Sequence, residues 1–544
     1  MVTSPGKSWM LIGLYASLLF FMHLPSSNFG GQALALYFNI FYSAAFVPCL
    51  LIGFYYVLKS KTIAYNDYIV GLVIVCSALT IPLFYAVNLG DSLPRVIFIW
   101  LGLLLYVVLS QYSTITKVHV VAIVVASSLI QVLHGHLQVW VLYHLDFLVF
   151  GESSRPVGVF QQVNVLASYV VTGIVCSGWL ATRNYESIIP KYVVYSLPLL
   201  GPSILMLVLS RSAFIGLVIG LLLLAIGGWK SRSKLKAWFA CLILGFAVGF
   251  GALFVSAQFT DGPRTVDSIV SGGIRPYDYA HAVHMIKEKP VLGWGYGSFR
   301  SSFVYSYVDR RIEEGRIIPG SHSLSHPHNE FLYWAVEGGV PVLGVILAFI
   351  AAVLYLNYRD QRIESLAGWA MMVPIAVHSM FEYPFYHSFP HWFVFVALFW
   401  VATCDRSQLK TVALPHVEVW RAVALSGSLV AVLYFSTAYH TAIVYRNYLQ
   451  DPDGNIGILS GVINPFALTD RLNLSFLGAD LVNAMNLGDK SSVIFYAEKA
   501  EEFMSNHPNE KLFYIVVEAY NSIGEEEKVE QLSRLARLMY PRNY

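Results

Sequence analysis

His326-Pro327-His328-Asn329-Glu330 stands where a long polar stretch meets the apolar run that begins at Phe331. Two imidazoles, an amide and a carboxylate at such a boundary can move protons and hold phosphate, because histidine changes charge near neutral pH. Three readings fit the pattern. Asn329 can cap the following helix, with Pro327 ending the loop. His328, beside the positive end of that helix dipole, can act on an anionic group or as acid or base. His326 and His328 can also form a His-x-His metal pair, but no third ligand stands nearby, so no metal is expected.

Other residues suited to chemistry lie apart in sequence. Ser210-Arg211-Ser212 interrupts two apolar runs, and an arginine inside a membrane costs about 2.5–3.5 kcal/mol unless it is paired or reaches the surface. Gly158-Val-Phe160-Gln161-Gln162-Val163-Asn164 enters an apolar run with amides that can bond sugar hydroxyls or simply line an interface. His378-Ser-Met-Phe-Glu382-Tyr383-Pro384-Phe-Tyr386-His387 closes another run. An aromatic belt accounts for its tyrosines but not for Glu382. Between residues 257 and 330, Arg264, Arg275, Lys287, Lys289, Arg300, Arg310, Arg311 and Arg316 are balanced by eight acidic residues. Any anion site there must therefore be local. The glycines of Gly293-Trp-Gly295-Tyr-Gly297 allow close approach to a ligand or to a packed neighbour, and on their own read more readily as a turn than as a phosphate cradle.

The elements that position these groups are membrane helices. Of 544 residues, 56% are hydrophobic and 12% charged, half the charge of a soluble domain, which places the chain among all-α polytopic membrane proteins. The net charge of +2 gives no case for nucleic acid. Cys49, Cys76, Cys176, Cys241 and Cys404 all fall in apolar stretches and suit buried positions rather than disulfides. The first apolar stretch, Trp9–His23, lacks a small-residue cleavage site and reads as a retained span.

Runs of spanning length occur at 9–26, 34–57, 66–88, 95–113, 118–142, 163–182, 191–209, 212–229, 236–256, 331–357, 365–382, 388–404 and 416–441, about 13 spans. Lys7; Lys59 and Lys61; Lys117; Arg183 and Lys191; Lys230, Arg232, Lys234 and Lys236; Arg359 and Arg362; and Arg406 and Lys410 fall on alternate connections, which the positive-inside rule places in the cytoplasm. The histidine motif, Arg211, Gln162, Glu382 and the tail then share the opposite side. Four regions follow: N-terminal spans in 1–256, a large external loop in 257–330, C-terminal spans in 331–441 and a charged helical domain in 442–544. In the tail, Asn506-His507-Pro508-Asn509 and Met539-Tyr540-Pro541-Arg542 lie 33 residues apart, close to the tetratricopeptide period. Such a domain binds proteins or braces a scaffold.

Together these segments resemble the bacterial superfamily of O-antigen ligases, O-antigen polymerases and protein O-oligosaccharyltransferases. The resemblance rests on the His-Asn motif leading to Glu337-Gly338-Gly339 and on Arg275…Tyr279…Pro290…Gly293-Trp-Gly-Tyr-Gly297…Phe299. Phe160-Gln-Gln-Val-Asn164, paired with Glu382-Tyr-Pro-Phe-Tyr386 and a C-terminal extension, is most similar to the pilin-glycosylation ligases. One departure is Val342, where the family often has glycine. It puts the close packing of that helix in question.

The resemblance implies a C-type glycosyltransferase in the bacterial inner membrane, acting at the periplasmic face without metal or other cofactor. It would move a preassembled glycan from undecaprenyl diphosphate to a Ser/Thr hydroxyl of a pilin or similar protein. It further implies that Arg211, Arg275 and Arg310 or Arg311 hold the diphosphate. His328, with His326 and Asn329, would carry the catalytic step as base or phosphate ligand, and Gln162, Asn164, Glu382, Tyr383 and Tyr386 would position donor or acceptor. The alternatives are ligation to lipid A core, polymerisation of repeat units and, outside this class, transport of a lipid-linked glycan. Transport predicts polar residues in broken helices near mid-membrane, whereas this chain gathers its polarity at one face.

Overall fold

A computed structural model describes residues 4–24, 31, 33–113, 115–142, 155–257, 274–321, 324–359 and 363–541. Arg264, Arg362 and Arg542, used above in reading charge and repeats, lie outside the described residues. Helices follow one another as α1 (Ser4–Leu19), α2 (Tyr37–Val57), α3 (Asp67–Thr80), α4 (Leu89–Gln111), α5 (Lys117–Leu137), α6 (Val163–Ala181), α7 (Lys191–Val208), α8 (Arg211–Gly227) and α9 (Arg232–Ser256). Two polar helices come next, α10 (Arg275–Glu288) and α11 (Phe299–Glu314). Apolar sequence resumes in α12 (Glu330–Arg359), α13 (Ser365–Ala370), α14 (Val373–Ser379), α15 (Pro384–His387), α16 (Phe389–Thr403) and α17 (Val417–Gln450). The tail forms α18 (Thr469–Leu487), α19 (Lys490–Asn506), α20 (Glu510–Ser522) and α21 (Glu526–Met539).

The protein is an all-α polytopic membrane protein. Among the described residues, 9 helices are long and apolar enough to cross a bilayer, and Trp9–His23, Arg211–Gly227 and Phe389–Thr403 are shorter apolar helices. The expected span at 365–382 is not one helix. It divides into α13 and α14, with Pro374 at the start of the second, and seven residues rise only about 10 Å. Hydropathy registered the run but not its breaks.

The chain separates into two compact units. The first comprises Met1–Cys76, Phe98–Pro263 and Ala348–Tyr439. Its central helix is α6, 94% buried across its apolar window. Helices α7 and α9 pack through small residues: a side chain at Gly245 would meet the carbonyl oxygens of Pro198 and Leu199. Pro198 and Pro202 remove helical N–H donors from α7, and close approach of a glycine surface suits such a helix. At one end, strands β1 (Thr62–Tyr65) and β2 (Lys410–Ala413) pair antiparallel, with Thr62 opposite Ala413. Arg406 donates to the carbonyls of Leu109, Tyr112, Ser113 and Ile115, and Lys230 pairs with Glu364 at 2.5 Å. Basic connections that the charge pattern assigns to one side are thus bonded to each other.

The second unit comprises Ser77–Ile97, Arg264–Leu347 and His440–Tyr544. Its larger core joins Leu481, Val493, Ala497, Met504, Phe513, Val516, Leu532 and Ala536 of the tail to Val304 and Val308 of α11. Asp489 and Asn509 cap α19 and α20 by accepting the N–H groups of Ser491 and Leu512. A smaller core holds Ala282, Met285, Phe299, Phe303, Tyr307, Tyr333 and Val336 beneath the histidine motif.

Candidate functional site

In the second unit the histidine motif is built around an unusual backbone. His328 has φ +56°, a left-handed conformation that costs an L-residue about 1–2 kcal/mol. Two side chains hold it there. Its N–H donates to Nδ1 of His326 at 3.0 Å, and its carbonyl accepts from the Tyr279 hydroxyl at 3.1 Å. His326 is buried, lies against the Tyr333 ring at 4.4 Å and has Nε2 3.7 Å from Glu330 Oε1. Burial lowers its pKa, against the pull of Glu330. With Nδ1 accepting, His326 is suited to positioning its neighbour. Asn329 caps α12, its Oδ1 accepting from the Leu332 N–H at 3.0 Å. His328 itself is half-buried at the start of that helix.

Asp278, one turn into α10, completes this corner. Its carboxylate accepts from the Ser321 N–H at 2.8 Å and the Ser321 hydroxyl at 2.7 Å. Burial raises its pKa, while the Ser321 bonds and then the nearby Arg275 draw it back. Arg275 opens the same helix one turn before Asp278, and Tyr279, which follows Asp278, bonds the His328 carbonyl. The neighbouring arginines do other work. Arg310 pairs with Glu314 at 2.8 Å, and Arg311 is buried, donating to the carbonyls of Leu538 and of Ile318, the latter at 2.8 Å. The geometry makes Arg311 a brace between α11 and the end of α21.

Behind the motif, α12 breaks at Gly339, whose φ of +78° and ψ of 177° interrupt the helix. The glycine run fits this break. A side chain at Gly293 would lie 2.6 Å from the Glu337 carbonyl carbon and the Gly339 nitrogen, and one at Gly339 would strike the Pro290–Val291 backbone. The run is thus a packing device. Trp294 and Gly295 donate to the carbonyls of Val336 and Glu337, and Val340 donates to Pro290. The close approach belongs to Gly339, so Val342 does not prevent it. The Glu337 side chain, 1% exposed, accepts from Gly297 and Phe299 N–H, each at 3.1 Å, and pairs with Arg95 at 2.6 Å. Rings of Tyr296, Tyr333 and Trp334 surround the Arg95 guanidinium at 4.5–4.7 Å.

The first unit carries its own polar set. Gln162 caps α6 through Val165 N–H at 2.7 Å, and the Asn164 amide donates to Glu382 at 3.2 Å. The two segments paired in the sequence reading therefore meet. Tyr383 and Tyr386 are half-buried beside Glu382. Arg211 is exposed at the first position of α8, and Arg155 donates to the Val208 carbonyl at the end of α7. Polarity also reaches beneath the surface. Ser168 bonds His378 at 2.7 Å and His391 at 3.2 Å, and His391 bonds Ser388 at 2.8 Å.

Among the described residues, Asp91, Asp470 and His507 place ligand atoms within 4.8 Å of one another and could hold a metal. His507 Nε2 already meets Asp470 at 3.2 Å and Asn88 at 3.0 Å.

Three family models match, in chain order and without overlap: Protein glycosylation ligase over residues 156–181, O-Antigen ligase over 196–347, and Virulence factor membrane-bound polymerase, C-terminal, over 366–544. The chain belongs to the O-antigen ligase superfamily. It is accordingly a multi-pass membrane enzyme that transfers glycans. No curated protein matches the chain. Gln162 and Asn164 fall in the first matched segment; Arg211, Arg275 and the histidine motif fall in the second; Glu382, Tyr383 and Tyr386 fall in the third.

Sequence reading passed over Asp278 and Arg95. Asp278 lay inside a quoted segment, as one acid among eight. Arg95 opens an apolar run and looks like an interfacial anchor, and nothing local announces a carboxylate partner 242 residues away.

Proposed function

We propose that this protein is a protein O-oligosaccharyltransferase of the bacterial inner membrane. It would move a preassembled glycan from undecaprenyl diphosphate to a Ser or Thr hydroxyl of a pilin or other periplasmic protein. The observation that carries the chemistry is His328, held in a strained backbone by His326 and Tyr279 at the start of α12, with Tyr279 on the same helix as Arg275 and Asp278. The acceptor oxygen attacks the sugar carbon bonded to phosphate, that carbon–oxygen bond breaks, and the diphosphate departs with the electron pair. His328 takes the hydroxyl proton, while Arg275 and the N–H groups opening α12 stabilise the departing charge. Arg211 is the phosphate-binding candidate of the first unit, where Gln162, Asn164, Glu382, Tyr383 and Tyr386 position substrate. Bonds among the basic connections of the first unit support one cytoplasmic side.

The protein acceptor is favoured by the protein glycosylation ligase match over the Gln162–Asn164 segment. A second reading, ligation to lipid A core or repeat-unit polymerisation, is favoured by the other two matches. Co-expression with a lipid-linked glycan, a pilin and a lipopolysaccharide core, read by mass spectrometry, separates them. Glycan on pilin Ser/Thr that disappears in His328→Ala is the expected result. Glycan only on lipid A core, or only lengthened glycan, overturns the protein-acceptor reading.

A further inference from the structure

We propose that a cavity at the basic end of the first unit binds the phosphodiester headgroup of an anionic membrane phospholipid. The cavity measures about 310 Å³, and Lys117, Arg183, Glu364, Asp405, Asn357 and Trp179 contribute to its wall. Lys117 is the first residue of α5, and Arg183 lies two residues beyond the end of α6. Both cations thus stand at the ends of apolar helices, where headgroups meet a spanning helix. Gln162 and Asn164 lie at the opposite end of α6, about 28 Å away along a 19-residue helix. The cavity is therefore separate from that polar set.

The charges are unequally engaged. Glu364 is held by Lys230 at 2.5 Å, and Asp405 accepts from the Ser407 N–H and hydroxyl at 3.0 and 2.7 Å. Asn357 Oδ1 accepts from Ser365 and Trp369. Among the described residues, neither the Lys117 ammonium nor the Arg183 guanidinium forms an ion pair or side-chain hydrogen bond. Arg183 overlies the Trp179 ring at 5.0 Å and feels the Glu364 carboxylate, and Lys117 feels that of Asp405. Lys117 is repelled by Arg183 and Arg406, and with Lys230 on Glu364 these four cations outnumber the carboxylates of Glu364 and Asp405, which leaves a place for a phosphate. Basic pockets between helices on the cytoplasmic side are a known setting for acidic headgroups. The volume is at the low end for a ligand site, enough for a headgroup but not its chains. Acyl chains have a path outside it, along Leu354, Tyr355 and Tyr358, each more than half exposed on the same helix as Asn357.

The test uses the full chain purified in detergent. Native mass spectrometry measures retained phospholipid, and thermal unfolding is followed with dihexanoyl phosphatidylglycerol or with inorganic phosphate at equal concentration. Wild type should retain phospholipid and be stabilised by the short-chain lipid but not by phosphate. Lys117→Gln with Arg183→Gln should cut retention about tenfold or more, equivalent to about 1.4 kcal/mol. Lys117→Arg with Arg183→Lys should keep it. Equal retention in the neutral and charge-conserving variants overturns the proposal. So does equal stabilisation of wild type by phosphate, which would assign the cavity to a free anion, or stabilisation by neither probe. The wild-type titrations decide the matter even if the neutral variant does not fold.

Discussion

Replacing Glu337 with glutamine tests whether the Arg95–Glu337 pair acts as a unit. The amide of Glu337→Gln would still present an oxygen to the N–H groups of Gly297 and Phe299, both of which are bonded to Oε1. What changes is the other oxygen, 2.6 Å from Arg95, which becomes an NH₂ facing another donor. Breaking a buried pair costs about 3–5 kcal/mol. Three aromatic faces at 4.5–4.7 Å still stabilise the cation, so about 3 kcal/mol is expected for Glu337→Gln. Arg95→Met, which strands the carboxylate on two backbone donors, should cost a similar amount. Combining them removes both charges and keeps the acceptor for Gly297 and Phe299. The remaining fault is one amide donor facing rings, about 1–2 kcal/mol. The double variant should therefore be more stable than either single one, a coupling of about 4 kcal/mol. Arg95→Met with Glu337→Met lacks the acceptor and should lose about 2–6 kcal/mol, since two buried N–H groups cost about 1–3 each. Unfolding temperatures of the detergent-solubilised variants give the ranking. A double variant as unstable as the sum of its parts would refute the reasoning.

His328→Ala leaves the Asn329 cap intact and should accumulate normally while glycan transfer, read by glycopeptide mass spectrometry, falls roughly 10²-fold or more. His328→Gly should be equally inactive yet at least as stable as the alanine variant, because glycine adopts φ +56° freely; lower stability would remove the argument from backbone strain. Arg275→Lys and Arg211→Lys should each lose much of the activity in the same assay, since a point charge does not replace a planar fork, and full activity in both would leave them as interface anchors. His281, fully buried, has its pKa lowered by burial to about 3. The unfolded chain therefore takes up a proton near pH 6.5 that the folded chain refuses, so stability present above that pH is lost as pH falls, at about 1.4 kcal/mol per unit. The pH dependence of the unfolding temperature below about 6.5 should be shallower in His281→Phe than in wild type, and identical slopes would refute this.

Much of this architecture is legible locally. Apolar runs of spanning length mark helices because a bilayer demands internal bonding of every backbone group, and Asn329 announces a cap because its side chain serves the next turn. What escapes is any property fixed by distant neighbours. The segment 365–382 is a different case: its break comes at Pro374, a local signal that a count of apolar residues does not carry. The glycines at 293–297 permit either a ligand or a neighbour. Only the fold supplies the neighbour, the break at Gly339. Arg95 and Asp278 acquire meaning from Glu337 and Ser321, partners 242 and 43 residues away. The meeting of Asn164 with Glu382 is partly legible, since the two segments pair by residue type, though nothing in the sequence gives their distance.

The small ribbon of the first unit sets an order of events during synthesis. Tyr65 faces Lys410, so β1 leaves the ribosome long before its partner exists. At about 5–20 residues per second, the roughly 350 residues between them take about 20–70 s to make. Throughout that interval β1 offers an unpaired edge, and lysines at 59 and 61 border it, a charge that discourages wrong partners. Arrival of β2 then fastens an early connection to a late one, after most of the membrane helices have been made. A chain halted before residue 410 keeps that edge open, and so carries at its surface a mark of incompleteness that a finished molecule lacks.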